Sequence, residues 1–450
     1  MSGAVRIDNP AAALRKRIDD RSAVIGVCGL GYVGLPLAAA AVRAGFPVIG
    51  FDINAARVRE LNDGVSSIGA VTGEDVKALL ATGRFKASRD FTGLAHCDAI
   101  LICVPTPLTR HREPDLGFVE RTARTIAAHL RPGQLVVLES TTYPGTTNRV
   151  VKPILEATGL HSGADFFLGY SPEREDPGNR NWSTASIPKV VAGDGAEALK
   201  LASALYGSIV RDIVPVSSND TAEAVKLTEN VFRAVNIALV NELKTIYSAM
   251  GIDIWEVIEA AKTKPFGYMP FYPGPGLGGH CIPIDPFYLA WKAREYDLPT
   301  RFIELAGEIN VAMPRLVVER LAQELNRRFG KALARSRILL LGVAYKRNVE
   351  DIRESPSLRL IELLEERGAT VEFHDPHIAM IPRTREHARL EGRRSAELTA
   401  ETVEAADAIL VATDHDAVDY NLVFRQAGLI VDTRNVFGRL GLAGDKVVKA

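Results

Sequence analysis

The sequence lacks the apolar runs and the charge excess that mark several classes of protein. No apolar run is long enough to span a bilayer, and the N-terminal segment mixes charged residues with alanine, which argues against a signal peptide. The 54 Lys and Arg residues face 55 Asp and Glu residues, so the formal net charge is -1. A protein that binds nucleic acid mainly by neutralising phosphates carries a basic excess. We therefore expect no membrane partner, no nucleic-acid partner and a cytoplasmic location.

Cysteine is also scarce. The chain has four, Cys28, Cys97, Cys103 and Cys281, with no CxxC pair and no paired histidine motif. This spacing argues against a disulfide framework and against a structural zinc site. We expect reduced thiols and no metal.

The 450 residues exceed what one hydrophobic core usually serves, so two or three domains are expected. From Ala23 the pattern predicts a buried strand, a glycine turn, a helix and a second strand, which is the βαβ alternation of a parallel sheet. Further apolar strands are expected at 98–105 and 134–140, each followed by a loop where such sheets bind ligands. This part of the chain predicts a doubly wound α/β domain.

The last third repeats the pattern without its glycines, with strands expected at 337–346, 370–376, 406–416 and 429–435. CDAILICVPTP parallels ADAILVATDHD, and PVIGFDIN parallels TVEFHDP. Two Rossmann-like halves of related layout explain these parallels, although buried strands of unrelated sheets also resemble one another.

Between the halves, residues 220–252 carry apolar side chains at helical spacing and no Gly or Pro before Gly251, which predicts a long helix. A loop rich in Pro and Gly at 263–286 and a second helix around 301–326 follow. We predict an α/β fold of two Rossmann-like doubly wound domains joined by a long central helix and a helical region. The expected boundaries are 1–219, 220–328 and 329–450.

A glycine motif follows the first strand. Gly29, Gly31 and Gly34 form GxGxxG, whose glycines give a tight turn, close approach to a pyrophosphate and close packing of helix on strand. Asp52 ends the next strand, where a carboxylate accepts from a ribose diol and repels the extra phosphate of NADP. The combination predicts NAD. Arg57 is expected on the adenine side, unless it is a solvated helix charge.

Two polar side chains share a face of the long helix. Lys226 and Asn230 are four residues apart, so together they could grip one oxygen. Solvated helix residues would give the same pattern.

One cysteine differs from the others in its setting. Cys281 follows GLGG and precedes IPIDP, whereas Cys28, Cys97 and Cys103 lie in or beside apolar strands, where cysteine is usually an inert small hydrophobe. The glycine loop could supply the donor-rich setting that a reactive thiol needs. Cys281 is therefore either a nucleophile or a structural cysteine. The adjacent His280 is interpreted as structural or as a substrate contact, because adjacent residues seldom point at one another.

Two further clusters are charged. Glu173, Arg174 and Glu175 follow a predicted strand, where a carboxylate could position water or take a proton, unless this is an ordinary polar loop. Lys346 and Arg353 replace the dinucleotide glycines at a βα turn of the last third. Cations there suit the phosphates of a nucleotide diphosphate, although a salt-bridged surface would look the same.

Taken together, GLGYVG, CVPTP, ESTTYPGTT, SPERxxPG, EAVKLTEN, GPGLGGHCIPIDP and GVAYKRNVEDIRESPS resemble the UDP-glucose/GDP-mannose dehydrogenase family over nearly the whole chain. SPEREDPGN, IPKVV and KPFGYMPFYPGPGLGGHCIPIDPFYLAWKAREY look most like the bacterial branch that acts on UDP-N-acetylglucosamine. The UDP-glucose branch typically has lysine before the aspartate, where this chain has Ile284.

The resemblance implies a four-electron oxidation of the C6 hydroxyl to a carboxylate, which consumes two NAD. Cys281 would trap the aldehyde as a thiohemiacetal, whose oxidation gives a thioester that water releases. Lys226 and Asn230 would steady the developing alkoxide. Asp285 matches the aspartate that follows the nucleophile, and Glu173 matches the carboxylate with acid/base or water-activating duties.

The resemblance also assigns Thr141 to a place near cofactor and water, and Lys346 and Arg353 to the nucleotide phosphates. A second family glutamate has no clean match, because the positions read Glu175, Asp176 and Pro177, so the base of hydrolysis stays open. The expected cofactor-binding residues are Gly29, Gly31, Tyr32, Val33, Gly34, Asp52, Arg57, Thr106 and Thr141. The expected substrate-binding residues are Glu173, Arg174, Lys226, Asn230, Tyr272, Gly278, Lys346 and Arg353.

By this resemblance the three parts are an NAD-binding domain, a helical dimerisation domain with the cysteine loop, and a UDP-sugar-binding domain, and the product serves surface polysaccharides such as lipopolysaccharide. The long helix resembles the one that pairs family subunits, so a homodimer is expected, although a buried intrachain helix gives the same pattern. UDP-N-acetylgalactosamine, UDP-N-acetylmannosamine and UDP-glucose remain alternative substrates. Two other hypotheses for the function remain. The protein is a single-step hydroxyacid-type dehydrogenase, or it is a non-catalytic NAD-sensing protein.

Overall fold

The computed structural model describes residues 9–109, 111, 113–174, 184–279, 282–384 and 386–450. It divides into two compact units. Unit 1 comprises Met1–Glu229 and Trp291–Asp297, and unit 2 comprises Asn230–Ala290 and Leu298–Ala450.

Unit 1 is built on a mostly parallel sheet. Within its described residues, eight strands lie in the order β3-β2-β1-β4-β5-β6-β7-β8. They are β1 (Ile25–Cys28), β2 (Val48–Phe51), β3 (Phe85–Ser88), β4 (Ala99–Ile102), β5 (Leu135–Leu138), β6 (Phe167–Tyr170), β7 (Lys189–Gly193) and β8 (Ile213–Pro215). Neighbours pair in parallel except β6 and β7, which are antiparallel. The first residue of β7 therefore lies at the edge where the parallel strands end.

Helices cover both faces of this sheet, so its strands are apolar on both sides. Leu135 and Val137 of β5 belong to the core on one face, while Val136 and Leu138 belong to the core on the other. The helices are α1 (Pro10–Asp19), α2 (Gly34–Arg43), α3 (Ala55–Asn62), α4 (Gly73–Ala81), α5 (Gly117–Ala127), α6 (Lys152–Glu156) and α7 (Ala196–Gly207), with a π-helical turn over Thr147–Val151 before α6.

The long central helix is α8 (Asn219–Ala249), which confirms the helix predicted at 220–252. It belongs to unit 1 through Glu229 and to unit 2 from Asn230 onward. No helix in the described parts of the chain is both long enough and apolar enough to cross a membrane.

After α8 the chain forms α9 (Ile254–Ala261), α10 (Asp285–Ala293) and α11 (Arg301–Phe329), of which α10 belongs to unit 2 only through Ala290. Unit 2 then forms the second sheet. Its strands are β9 (Arg337–Leu341), β10 (Thr370–His374), β11 (Ala408–Val411), β12 (Ile430–Asp432) and β13 (Val447–Lys449). They are accompanied by α12 (Pro356–Glu366), α13 (Ala400–Glu404), α14 (Tyr420–Gln426) and α15 (Val436–Arg439).

These five strands of the described chain are parallel in the order β10-β9-β11-β12-β13. This is the 2-1-3-4-5 order of doubly wound sheets, whereas unit 1 begins with the 3-2-1-4-5-6 order. The predicted α/β fold with two doubly wound sheets and a helical middle is confirmed. The boundaries 1–219, 220–328 and 329–450 stay a prediction.

Candidate active site

The glycine motif of unit 1 combines two packed glycines with one open one. Gly29 has φ +95°, and a β-carbon there would lie 2.5 Å from the carbonyl oxygen of Cys103. A β-carbon at Gly34 would lie 1.8 Å from the carbonyl oxygen of Gly29, whereas one at Gly31 would meet nothing within 4 Å. The first and third glycines are thus required by the fold, and the middle one leaves room for a ligand. This arrangement fits the pyrophosphate of a dinucleotide.

The N-terminus of α2 starts at this turn. Its N-cap residue, Val33, makes no side-chain capping hydrogen bond. Asn54 by contrast caps α3 by accepting from the N–H groups of Ala56 and Arg57. A helix N-terminus that no side chain caps presents backbone N–H groups to an anion. Tyr32 and Val33 pack, partly buried, against the core beside the turn.

Asp52 ties the second strand to the glycine turn. Its buried carboxylate accepts from Leu30 N–H at 3.0 Å and from Asn54 N–H at 2.8 Å. Arg57 Nη1 lies 3.2 Å from the same carboxylate. The structure therefore brings Asp52, Arg57 and the glycine turn together.

The ends of β4 and β5 are joined by Ser140. Its hydroxyl donates to the carbonyl of Val104 at 2.7 Å and accepts from Val104 N–H at 3.0 Å. This link fixes the two loops that carry Thr106, which is buried, and Thr141, which is partly exposed. Both threonines thus lie at the carboxyl edge of the sheet, where α/β sheets bind ligands.

Glu173 lies beyond the end of β6. Glu173 Oε1 accepts from Arg174 N–H at 2.7 Å, and Oε2 lies 3.7 Å from Lys189 Nζ. The Arg174 guanidinium donates to the carbonyl of Pro188 and to Glu229, each at 2.6 Å. Glu175 lies outside the described residues. Lys189 was not among the expected site residues, although it stands in the IPKVV motif.

Glu223 is a buried acid that the sequence analysis did not single out. It is buried on α8 and accepts from Gly145 N–H at 2.6 Å, Thr147 N–H at 2.8 Å and Thr147 Oγ1 at 2.7 Å. Burial raises its pKa to about 7, although the hydrogen bonds from Thr147 and Gly145 oppose the shift. Glu223 fixes the segment after Thr141 to α8. Its only signal in the sequence is its place in EAVKLTEN.

Lys226 and Asn230 are both buried on α8. In unit 2, Asn230 Nδ2 donates to Asp285 Oδ2 at 2.5 Å, and Arg233 Nη2 donates to Asn230 Oδ1. Asp285 is the first residue of α10. The structure therefore brings the expected residues Asn230 and Asp285 into contact.

The glycine loop before Cys281 packs against the segment that carries the predicted phosphate-binding cations. Gly279 N–H donates to the carbonyl of Arg353 at 3.1 Å, and a β-carbon at Gly278 would lie 2.7 Å from Tyr345 Cβ. A larger residue at Gly278 would push these segments apart. His280 and Cys281 themselves lie outside the described residues.

The predicted cations of unit 2 lie at its first βα turn, which Asp375 holds. Asp375 Oδ2 accepts from Val343 N–H at 2.7 Å and from Ala344 N–H at 3.1 Å, the same role that Asp52 plays in unit 1. Arg353 donates to both oxygens of Asp351, at 2.6 to 3.0 Å. Lys346 is partly exposed on this turn.

Two more side chains of unit 2 have defined contacts. Arg434 follows β12 and donates from Nε to the carbonyl of Ala412 at 2.9 Å, and a β-carbon at Gly274 would lie 2.7 Å from its Nη1. The sequence analysis did not single it out. The hydroxyl of the expected residue Tyr272 donates to Glu259 at 2.8 Å, and its ring stacks on Trp255.

The described cysteines are poor nucleophiles. Cys28, Cys97 and Cys103 are buried, and burial raises the pKa of each thiol, that of Cys97 to about 12. A thiol with so high a pKa carries almost no thiolate at neutral pH.

The chain matches three family models in order. They describe the NAD binding domain (residues 23–210), the central domain (220–312) and the UDP binding domain (339–439) of the UDP-glucose/GDP-mannose dehydrogenase family. The match to an NAD binding domain agrees with the fit of the glycine turn to a dinucleotide.

Named relatives are similar over most of their length. A UDP-N-acetyl-D-glucosamine 6-dehydrogenase of Pseudomonas aeruginosa is 38% identical over 79% of this chain and 83% of its own. A UDP-N-acetyl-D-mannosamine dehydrogenase of Pyrococcus horikoshii is 34% identical over 92% of this chain and 95% of its own. A solved structure of a UDP-D-ManNAc dehydrogenase from Pyrococcus horikoshii superposes with a TM-score of 0.84 at 33% identity, covering 94% of this chain and 97% of that one.

Proposed function

Because the chain belongs to the UDP-glucose/GDP-mannose dehydrogenase family, whose members are NAD-dependent, we propose that it oxidises the C6 hydroxyl of UDP-N-acetylglucosamine to UDP-N-acetylglucosaminuronate. The observation that carries the proposal is the 38% identity to an enzyme named for that sugar, joined to the GLGGHCIPIDP loop. UDP-N-acetylmannosamine and UDP-N-acetylgalactosamine are the nearest alternatives, since they differ from the proposed substrate only in the orientation of one group. UDP-glucose, which lacks the acetamido group, is disfavoured by Ile284.

The reaction removes two electron pairs from one carbon. Bound NAD supplies the acceptor for each electron pair. Between the two oxidations the sulfur of Cys281 forms a bond to the aldehyde carbon, which keeps the intermediate on the enzyme. After the second oxidation water adds the new oxygen, the carbon–sulfur bond breaks and the carboxylate leaves. The three buried cysteines, with their raised pKa values, support Cys281 as the nucleophile.

Four further residues serve this chemistry. Lys226 and Asn230 stabilise the negative charge that develops on the C6 oxygen. Asp285 orients Asn230 through their hydrogen bond. Glu173 accepts the proton of the attacking water.

The test is a panel of UDP-N-acetylglucosamine, UDP-N-acetylgalactosamine, UDP-N-acetylmannosamine and UDP-glucose with NAD, in which NADH formed per sugar consumed is counted. We expect the highest kcat/KM with UDP-N-acetylglucosamine and two NADH per sugar. One NADH per sugar would indicate a single-step dehydrogenase, and NAD binding without NADH formation would indicate an NAD-sensing protein.

Cys281→Ser tests the nucleophile in the same assay and is expected to abolish sustained turnover. Cys97→Ser is the matched control. Cys97 Sγ donates to the carbonyl of Gly93 at 3.6 Å, a bond that a serine hydroxyl can keep, so this variant should remain active. Full activity of Cys281→Ser would overturn the covalent mechanism.

The assembly that we propose is a homodimer formed through α8 of unit 2. Phe232, Leu239 and Ile246 follow one another at intervals of seven residues, and each side chain is nearly half exposed, at 47%, 49% and 47%. Such a stripe on one helix face suits a second copy of the chain. Leu239→Lys is expected to shift sedimentation to the monomer, and an unchanged dimer would contradict this interface. We further propose a cytoplasmic enzyme whose product enters surface polysaccharide.

A further inference from the structure

A buried charge cluster lies at the carboxyl edge of the sheet in unit 1. The antiparallel pairing of β6 and β7 joins Gly169 to Gly193 and Tyr170 to Ala192. Continued by three residues, this register places Lys189 opposite Glu173. Glu139 follows β5, the strand next to β6, at the same edge. The reversed direction of β7 thus puts a lysine between two acids that end parallel strands.

The contacts of this lysine are specific. Lys189 Nζ donates to Glu139 Oε2 at 2.8 Å and to the carbonyl of Pro172 at 3.3 Å, and lies 3.7 Å from Glu173 Oε2. The hydroxyl of Tyr206 donates to the other oxygen of Glu139. The side chains of Glu139 and Lys189 are 0% and 5% exposed, whereas that of Glu173 is 14% exposed. Glu173 is thus the least buried of the three charged members of the cluster.

The cluster contains two acids, Glu139 and Glu173, and one base, Lys189. Burial raises the pKa of Glu139, against the pull of Lys189. Burial also opposes the charge of Lys189, but Glu139 and Glu173 together raise its pKa, so the ammonium form is kept. A buried ion pair contributes little to stability, because desolvation offsets the attraction between its charges. A cluster of this cost, next to a proposed catalytic carboxylate, is better explained by its effect on that carboxylate.

We propose that Lys189, itself held by Glu139 and Tyr206, is a positioning residue that fixes the carboxylate of Glu173 at the sheet edge, from where Glu173 can accept a proton from water. This inference rests on the proposed function. In the step concerned, the water oxygen forms a bond to the thioester carbon while Glu173 takes one of its protons. The carbon–sulfur bond breaks, Cys281 leaves as a thiolate, and the product acid releases its proton to solvent.

The charge count predicts what happens without the lysine. Glu139, Lys189 and Glu173 together carry one net negative charge when all are ionised. Removal of the cation leaves the carboxylates of Glu139 and Glu173 at the same sheet edge without their common counterion, and neighbouring like charges disfavour the ionisation of both. The proton that the pair shares then lowers the fraction of the enzyme in which this site can accept a proton from water. Neutralising Glu139 as well restores the original net charge.

The experiment compares the pH dependence of kcat in wild type, Lys189→Met, Lys189→Arg and the double variant Lys189→Met/Glu139→Gln, with UDP-N-acetylglucosamine and NAD. In Lys189→Met we expect the acidic limb of the profile to move up by about one pH unit or more, so that kcat on that limb falls about tenfold. KM values should change by no more than about twofold, since Lys189 contacts neither ligand in this scheme. Lys189→Arg should stay near wild type, and the double variant should return the limb toward the wild-type position.

The matched control is Lys152→Met. Lys152 Nζ lies 2.8 Å from Asp194, the same distance as Lys189 Nζ from Glu139. Asp194, however, follows the opposite end of β7. Loss of the Lys152 cation should leave the pH profile unchanged. Thermal unfolding checks whether Lys189→Met is folded. If it is not, the test uses Lys189→Arg and the double variant, because neither leaves two acids without a counterion.

The role of Lys189 would be overturned if folded Lys189→Met kept the acidic limb of the kcat profile at the wild-type pH. It would also be overturned if the folded double variant did not return that limb toward the wild-type pH. The wild type separates this failure from failure of the proposed function. Two NADH per sugar with an unmoved limb contradicts only the role of Lys189, whereas one NADH per sugar contradicts both, because no thioester would then be hydrolysed.

Discussion

The side-chain amide of Asn230 donates to the carboxylate of Asp285 at 2.5 Å, across 55 residues of sequence, and both side chains are buried. Arg233 holds the oxygen of the same amide. The amide therefore has one fixed orientation, and under the proposed function the second N–H of its nitrogen would donate to an oxygen of the substrate. In the proposed function, Asp285 would act on the substrate through Asn230.

Two substitutions of Asp285 separate stability from catalysis. Asp285→Ala leaves the buried amide N–H without its acceptor, so the free energy of unfolding should fall by about 1–3 kcal/mol. Asp285→Asn keeps an acceptor, so its melting temperature should stay near that of wild type while kcat falls by about tenfold or more. Denaturant unfolding and steady-state kinetics measure the two effects. A fully active Asp285→Asn would show that the charge of Asp285 is not needed.

The glycines of the first turn should respond differently to alanine. Gly34→Ala places a β-carbon 1.8 Å from the carbonyl oxygen of Gly29, so the domain should be destabilised or fail to fold. Gly31→Ala meets no protein atom within 4 Å, so it should melt like wild type but bind NAD more weakly, about tenfold or more. Thermal melts and NAD titration distinguish the two. Unchanged NAD affinity in Gly31→Ala would place the pyrophosphate elsewhere.

Asp52 should set the preference for NAD over NADP. Its carboxylate is fixed by Leu30 and Asn54, so it repels the extra phosphate of NADP from a constant position. Asp52→Asn should lower the ratio of kcat/KM for NAD to that for NADP by about tenfold or more. Asp75→Asn, which alters a surface pair with Arg43 in the same unit, is the control. Equal rates of the wild type with both cofactors would refute this role.

Glu223 should make stability depend on pH. Its pKa is about 7 in the folded protein and near 4.5 when unfolded, so the folded state binds more protons between these values. The free energy of unfolding should therefore fall as pH rises from 4.5 to 7, by at most about 3 kcal/mol, at about 1.4 kcal/mol for each pH unit of the shift.

Glu223→Gln should remove this part of the pH dependence. Glu120→Gln, at a partly exposed acid on α5 of the same unit, should keep it. Urea unfolding at several pH values measures both. If the free energy of unfolding of Glu223→Gln changed with pH as steeply as that of wild type, the pH dependence would come from other groups.

The sequence predicts the parts of this fold that depend on local pattern. The strand at 25–28, the glycine turn and α8 follow from apolar period and from residue types with fixed backbone preferences. Contacts between distant residues do not follow in the same way. Nothing in the sequence says that β7 runs antiparallel to β6, and the position of Lys189 depends on that direction.

The same limit applies to charged groups. The guanidinium of Arg174, an expected substrate contact, donates to the carbonyl of Pro188 and to Glu229, the latter 55 residues away. Neither partner follows from the motif. The motif likewise does not predict that Arg353 pairs with both oxygens of Asp351, although the two residues are only two positions apart in sequence. Charge predicts that a residue has a partner, whereas the fold decides which partner it has.

The reversed strand β7 has a consequence for engineering. A designer who kept only β1 to β6 and the glycine turn would retain the elements that hold a dinucleotide. That truncated domain would lose Lys189 of β7 and Tyr206 of α7, and Glu139 would remain at the sheet edge without its counterion. Transplanting this chemistry onto another nucleotide-binding scaffold therefore requires the added strand and helix as well as the residues that touch the substrate.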